Sequence, residues 1–415
     1  MHSPLLLQLV VILSVARLCG LLLKRFGQPA VIGEMAAGIL LGPIVFGAAL
    51  PQAHAALFPA DSLAGLTSLS TLGLVLFMFV VGAELRTPDG VRAQLRAAGW
   101  VSALSVVLPF GGSLAVAPWL YPQLAPAGVG YWPFALFLAT AMSITAFPVL
   151  ARILKDRGMT RSRVGQLALG SAAIADAATW IGLALVVALV GQGGEGGVAR
   201  ALIGLLALTA LVFGLLKPLY AWLLRTHARD GEPSAMVLAA LLVGLLSCAA
   251  LTEWLDLHAV FGAFVFGACL PRDDRLLHAL TARLEHVAVV LLMPIFFALA
   301  GLRTTGDAFT GTALAAMAVI LVVAVTGKIV GGAAGARLSG HDWRDSFATG
   351  ALMNARGLME LIVLKVGLDA GLIGPQAFTM LLAMAILTTV MTGPLLGLFA
   401  GRAQAAGDGL ARNRA

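Results

Sequence analysis

The chain has 415 residues, 60% of them apolar and only 11% charged, with 27 Lys and Arg against 20 Asp and Glu. Soluble domains carry roughly a quarter of their residues charged, and a mean hydropathy of +0.96 excludes that class in favour of a polytopic membrane protein. The net charge of +7 sits in the breaks between apolar runs, so it reports orientation and not a nucleic-acid partner.

Apolar runs long enough to cross a bilayer as helices recur along the whole length, and no soluble domain fits between them. The first, 4–23, has no basic region before it and no small-residue cleavage site, so it is expected to be a retained helix and not a signal peptide. The second and third, 28–42 and 64–85, hold Glu34 and Glu84 near their apparent ends, where wetted or funnel positions are expected. The fourth covers 97–118.

The fifth run, 131–154, contains "SITAFPVLAR". Pro148 lacks a backbone donor and blocks a continuous helix, which frees carbonyl groups around Thr145 and Ala146 inside the membrane. Those carbonyls and the Thr145 hydroxyl suit a desolvated alkali cation; a plain proline kink is the alternative.

The sixth run, 163–190, contains "GSAAIADAATWIGLAL", apolar or small throughout except for Asp176 and polar Ser and Thr. An isolated charge in hydrocarbon costs about 2.5 to 3.5 kcal/mol even on lenient scales, so something must offset it. A desolvated carboxylate can take up a proton near physiological pH, and a dehydrated monovalent cation can compete for the same oxygens. The alternative is a helix-packing Asp bonded to Ser171 or Thr179.

The runs 200–224, 234–252, 258–270 and 280–302 follow. In the eleventh, 312–336, Lys328 lies well inside an apolar span, whereas Lys365 can snorkel from the end of the twelfth. Lys328 is read first as a structural cation, with partner of Asp176 and proton carrier as alternatives. The twelfth run, 346–367, is interrupted by "MNARG", which puts Asn354, Arg356 and Gly357 where an unbroken helix would have Leu. Two interruptions crossing near the midplane would bring half-helix dipole ends together, and Arg152, Arg356 and Glu360 are the candidates for neutralising them. Arg356 and Glu360 also have the spacing of an i,i+4 pair. The last run is 375–399.

That gives thirteen spans. Basic clusters follow the odd-numbered ones, from Lys24 and Arg25 through Lys155, Arg157, Arg161 and Arg163 to Arg337 and Arg344. The positive-inside rule then places the N-terminus outside and the C-terminus in the cytoplasm.

The halves also match each other. "VIGEMAAGILLGP" (31–43) corresponds to "VFGAFVFGACLP" (260–271), "FVVGAELRT" (79–87) to "FFALAGLRT" (296–304), and the two interrupted runs to one another. Matched elements lie seven spans apart, an odd number, so equivalent helices run in opposite directions. The expected fold is therefore an all-α polytopic membrane protein of about thirteen transmembrane helices, with two inverted-topology repeats and broken crossing helices, as in secondary transporters. Its divisions are a first repeat (1–192), a linker helix (199–230), a second repeat (233–400) and a cytoplasmic tail (401–415).

Other chemistries have little support. Cys19, Cys248 and Cys269 show no C-x-x-C spacing, the seven histidines no zinc-like or haem-like spacing, and the 48 glycines neither a Walker loop nor a dinucleotide fingerprint. No cofactor and no enzymatic reaction are expected.

Together "VIGEMAAGILLGP", "SITAFPVLARIL" followed by Asp176, "LMPIFFALAGLRT", "GKIVGG" and "MNARGLMELIVL" resemble the monovalent cation:proton antiporter-2 family, in particular its plant CHX-like and bacterial sodium or potassium/proton exchanger members. The likeness covers roughly residues 30 to 395 in the same order. It implies thirteen spans, a homodimer in lipid and elevator-like alternating access, in a plasma membrane that is the inner one if the source is bacterial. It also implies Asp176 as the ion-binding carboxylate, Thr145 as part of the broken-helix site and Lys328 as the core lysine. Family members usually have Asp, Asn or Gln before that Asp, whereas this chain has Ala175. Two-aspartate members are associated with electrogenic exchange, so the resemblance implies an electroneutral exchanger here. The chain extends about 15 residues beyond the last span, so the nucleotide-binding domain of gated potassium-efflux relatives is not expected.

The leading expectation is electroneutral exchange of Na+ or K+ for H+ at Asp176. Its rivals are a channel-like potassium efflux pore and a transport-inactive membrane cation sensor or scaffold.

Overall fold

The computed structural model describes residues 4–84, 92–160, 162–190, 203–204, 206–227, 234–255, 259–270 and 284–400. The tail 401–415 and the expected boundaries at 192, 199, 230 and 233 lie outside them. Every regular element among the described residues is helical. In chain order they are α1 (Leu5–Arg25), α2 (Ala30–Leu41), α3 (Pro51–Leu57), α4 (Leu63–Glu84), α5 (Arg92–Leu124), α6 (Tyr131–Ser143), α7 (Phe147–Asp156) and α8 (Arg163–Val190). There follow α9 (Lys217–His227), α10 (Ala235–Trp254), α11 (Ala259–Cys269), α12 (Met293–Leu302), α13 (Thr312–Leu338), α14 (Trp343–Met353), α15 (Leu358–Asp369) and α16 (Pro375–Ala400).

Nine helical segments among the described residues are long and apolar enough to cross a membrane. The expected spans at 131–154 and 346–367 are each two short helices, α6 with α7 and α14 with α15. The protein is an all-α integral membrane protein. Its outward faces carry large apolar side chains, among them Leu6, Leu21, Phe213, Trp222 and Met236, as expected where the solvent is lipid.

The chain forms two compact units, each drawing on both halves of the sequence. One comprises Met1–Arg17, Ala37–Arg86 and Ala184–Arg303. Within it α4 packs on α11, and α12 lies beside both α4 and the C-terminal end of α2. These approaches depend on small residues that bring backbones together. A Cβ on Gly267 would lie 2.2 Å from the Phe79 carbonyl oxygen, and one on Gly38 2.1 Å from that of Phe297. Gly38 and Gly267 are the second glycines of the two matched sequence segments. The first glycines correspond too: in this unit Gly262 abuts Cys248, and in the other Gly33 abuts Cys19 and Gly20.

The second unit comprises Leu18–Ala36, Thr87–Leu183 and Thr304–Ala415. Its spine is α13, which packs along α5 on one side and α14 on the other. Gly327, Gly331 and Gly335 form a stripe one turn apart against Pro109, Leu104 and Val101 of α5, while Gly350 of α14 closes on the Ile329 carbonyl. Lys328 lies between these contacts and is fully buried.

Candidate functional site

Both broken helices belong to the second unit. α6 stops at Ser143, Ile144 turns to extended backbone (φ −67°, ψ 142°), and α7 starts at Phe147. α14 stops at Met353, and α15 starts after Gly357, whose φ of 154° and ψ of −124° favour a residue without Cβ. The breaks meet: the Ala146 N–H donates to the Ala355 carbonyl at 3.1 Å.

A helix that ends inside the membrane leaves carbonyls that water cannot satisfy. At the end of α6 two cations do so. Arg356 donates to the Ala141 carbonyl (3.2 Å) and to the Met142 carbonyl, and Lys328 Nζ donates to the Ser143 carbonyl (2.5 Å). Positive charge thus meets the negative end of the α6 dipole. Lys328 also donates to Thr145 Oγ1 at 2.6 Å, and Arg356 pairs with Glu360 at 3.2 Å, both ends of that pair being fully buried.

The other half of the break has the opposite sign. The Phe147 backbone N–H, at the start of α7, lies near enough to the carboxylate of Asp176 from α8 to act on its charge. Asp176 is 2% exposed, and its Oδ2 has no hydrogen-bond partner among the described residues. The Ser171 and Thr179 hydroxyls, the neighbours that would make it a packing residue, donate instead to the Leu167 and Ala175 carbonyls. Lys328 is near enough for its charge to act on Asp176, but the two form no direct ion pair.

Asp176, Thr145, Ala146, Lys328, Asn354, Arg356 and Glu360 therefore gather around one crossing. Several details differ from the sequence expectation. Pro148 is the second residue of α7, where its missing N–H has no helical acceptor, so it starts a half-helix and does not kink a continuous one. The freed carbonyls lie earlier, at 141–143, and hold cationic side chains. The Ala146 carbonyl is used by Leu150 in the first turn of α7. Arg152 lies on the exposed side of α7, away from the task of neutralising buried helix ends that its sequence position suggested. Glu34, expected at a wetted end, is 3% exposed in the second turn of α2. The side chain of Glu84 lies outside the described residues.

Two residues of the site were not singled out from the sequence. Thr389 on α16 accepts from the Arg356 backbone N–H (2.9 Å) and donates to its carbonyl (2.8 Å), while Asn354 Nδ2 donates to the Thr388 carbonyl at 3.0 Å. The only signal was "LTTVMT", three threonines in an otherwise apolar run. Among the described residues no group of three His, Cys, Asp or Glu could hold a metal ion.

The comparisons with known proteins agree with this architecture. Residues 10–400 match the family model described as sodium/hydrogen exchanger, transmembrane. The chain is 39% identical to the Na(+)/H(+) antiporter NhaS4 of Synechocystis sp., over 94% of its own length and 95% of that protein. It is 34% identical to the K(+)/H(+) antiporter 1 of Saccharomyces cerevisiae, over 95% of its length but 46% of that protein, so it spans about half of this longer relative. In fold it is similar to the sodium proton antiporter MjNhaP1 of Methanocaldococcus jannaschii, with a TM-score of 0.66, 14% identity and coverage of 95% and 96% of the two chains. With a matched model over nearly its whole length and broken helices crossing beside a buried carboxylate, the chain belongs to the sodium/hydrogen exchanger family.

Proposed function

We propose that the protein is an electroneutral antiporter that exchanges one monovalent cation, Na+ or K+, for one proton, both binding in turn at Asp176. The observation that carries this reading is the Asp176 carboxylate: buried, beside the backbone N–H at a half-helix start, and with one oxygen open. An unpaired carboxylate out of water is costly, so the site favours anything that brings a positive charge, a proton or a dehydrated cation. One carboxylate holding one or the other moves equal charge in each direction. The names of the relatives, Na(+)/H(+) and K(+)/H(+) antiporters, point the same way.

Lys328, Arg356 and Glu360 act as supports in this reading. Lys328 and Arg356 are committed to the end of α6, and Thr145 offers the bound cation at most the lone pair that Lys328 leaves free. Thirteen crossings follow if α6 with α7 and α14 with α15 each count as one interrupted span and α8 and α11 join the nine long segments. The corresponding glycine contacts at Gly38 and Gly267 support two inverted repeats, and that architecture supports elevator-like alternating access.

The test is cation-driven proton movement in proteoliposomes, Na+ against K+, with membrane potential clamped or free. Flux that is insensitive to the clamp and lost in Asp176→Asn is expected. Cation leak without proton movement would replace this reading with a channel, and no flux of either ion with a sensor.

A further inference from the structure

A cavity of about 400 Å³ opens in the second unit, lined by Lys24, Gly27, Gln28, Pro29, Ile153, Arg157, Thr389 and Gly393. It lies between the α1–α2 turn, the end of α7 and α16, and it is separate from Asp176. Two features give it a chemical preference. Among the described residues, the charged side chains that line it are Lys24 and Arg157, both cationic, with no carboxylate. Arg157 also reaches into it: a Cβ on Gly393 would lie 2.8 Å from a guanidinium nitrogen, so the absence of that side chain leaves room for the guanidinium against α16. Gln28 lies alongside, its Nε2 donating to the Val390 carbonyl at 3.3 Å and standing 4.0 Å from where a Cβ on Gly393 would lie.

We propose that this cavity is an oxyanion site for a phosphoryl group, carried either by a free phosphate compound or by a lipid headgroup. A guanidinium just beyond the end of α7 and an ammonium from α1, lining one cavity, can form charge-assisted hydrogen bonds with a phosphoryl group, and the volume lies at the small end of ligand sites. A path for the transported cation is the wrong chemistry here, because the two positive side chains repel it. Both cations belong to basic clusters on the face expected to be cytoplasmic, where anionic headgroups and phosphate compounds are both at hand. The site is also linked to the crossing, since Thr389 lines the cavity and its hydroxyl holds both the backbone N–H and the carbonyl of Arg356. An occupant would press on the residue that fixes one broken helix.

The experiment measures thermal unfolding of the purified full chain, so it does not depend on transport. In neutral detergent, inorganic phosphate is titrated against chloride at constant ionic strength; in parallel the chain is compared in phosphatidylglycerol and phosphatidylcholine nanodiscs. A Tm rise of about 2 to 4 °C is expected, abolished in Lys24→Gln/Arg157→Gln and also in Gly393→Leu, which keeps both charges but fills the cavity. A rise with phosphate alone identifies a free oxyanion as sufficient, and one confined to phosphatidylglycerol identifies a headgroup. A rise that survives Gly393→Leu would reduce the effect to surface charge and overturn the proposal, as would no rise with either probe.

Discussion

The Ala146 amide and the Ala355 carbonyl, 209 positions apart in sequence, are joined by a 3.1 Å hydrogen bond that fastens the two broken helices to each other. Because both partners are backbone groups, the bond depends on the chain path through each break and not on side-chain identity. The residues that set that path are therefore the sensitive ones. Chief among them are Gly357, which gives α15 its starting conformation, and the cations that end α6.

Gly357→Ala is expected to destabilise the protein by about 1 to 3 kcal/mol, the usual cost of a side chain held in a sparsely populated backbone region. The added Cβ would also lie 2.8 Å from Val149 Cγ2 on α7, on the opposing broken helix. Gly397→Ala, at a helical glycine with nothing within 4 Å of the added carbon, is the control and should be neutral or slightly stabilising. Thermal unfolding of the two variants in the same detergent checks the contrast.

Arg356→Met should be the most damaging of the charge removals. It leaves Glu360 buried without its partner, strips the Met142 carbonyl of its donor, and leaves the Ala141 carbonyl only the 3.4 Å bond from the Ile144 N–H. Breaking a buried pair from one side typically costs about 3 to 5 kcal/mol. The double variant Arg356→Met/Glu360→Leu should recover part of that loss, because it removes the orphaned carboxylate, but not all, because the Met142 carbonyl stays unsatisfied. A denaturation series over wild type, both single variants and the double variant measures the coupling.

Legibility in the sequence followed cost. Asp176, Lys328, Arg356 and Glu360 stood out because charge is expensive in hydrocarbon, and all four lie at the crossing. The break in α14–α15 was visible because Asn354, Arg356 and Gly357 are poor residues for an apolar helix. The break in α6–α7 was found for a partly mistaken reason: Pro148 marks where α7 begins, while the carbonyls that need partners precede it by several residues. Those carbonyls bear no mark in the sequence, since every residue has one. Thr388 and Thr389 were missed for a related reason, as threonine in a membrane helix usually bonds its own preceding turn, and the Ala385 carbonyl of that turn competes with the Arg356 carbonyl for the single Thr389 hydroxyl proton. Arg152 misled because spacing from a break does not reveal which side of a short helix faces outward.

Thr389→Val should show how far α16 supports the crossing. It removes the hydroxyl that donates to the Arg356 carbonyl and accepts from its N–H, leaving buried backbone groups unpaired at about 1 to 3 kcal/mol. Thr389→Ser keeps the hydroxyl and should restore most of the stability. If Val and Ser variants unfold together, the bond contributes little and the shape of the side chain matters more.

Lys328 distinguishes a structural cation from a charge-moving one. Its ammonium is bonded to the Ser143 carbonyl and Thr145 Oγ1 and makes no direct ion pair with Asp176. If it holds the end of α6 in place, Lys328→Met leaves a buried carbonyl without its donor and lowers stability by about 1 to 3 kcal/mol. The charge moved per cycle then stays on Asp176. Whatever exchange survives in the variant should remain one for one, with proton flux indifferent to a clamped membrane potential, as in the wild type. The alternative gives the reverse pattern: a lysine that releases and rebinds a proton during the cycle makes wild-type flux voltage-dependent, and Lys328→Met abolishes that dependence while costing less in Tm. Measuring Tm and the clamp response on the same two preparations separates these outcomes, because the structural role moves the first and the proton-carrying role moves the second.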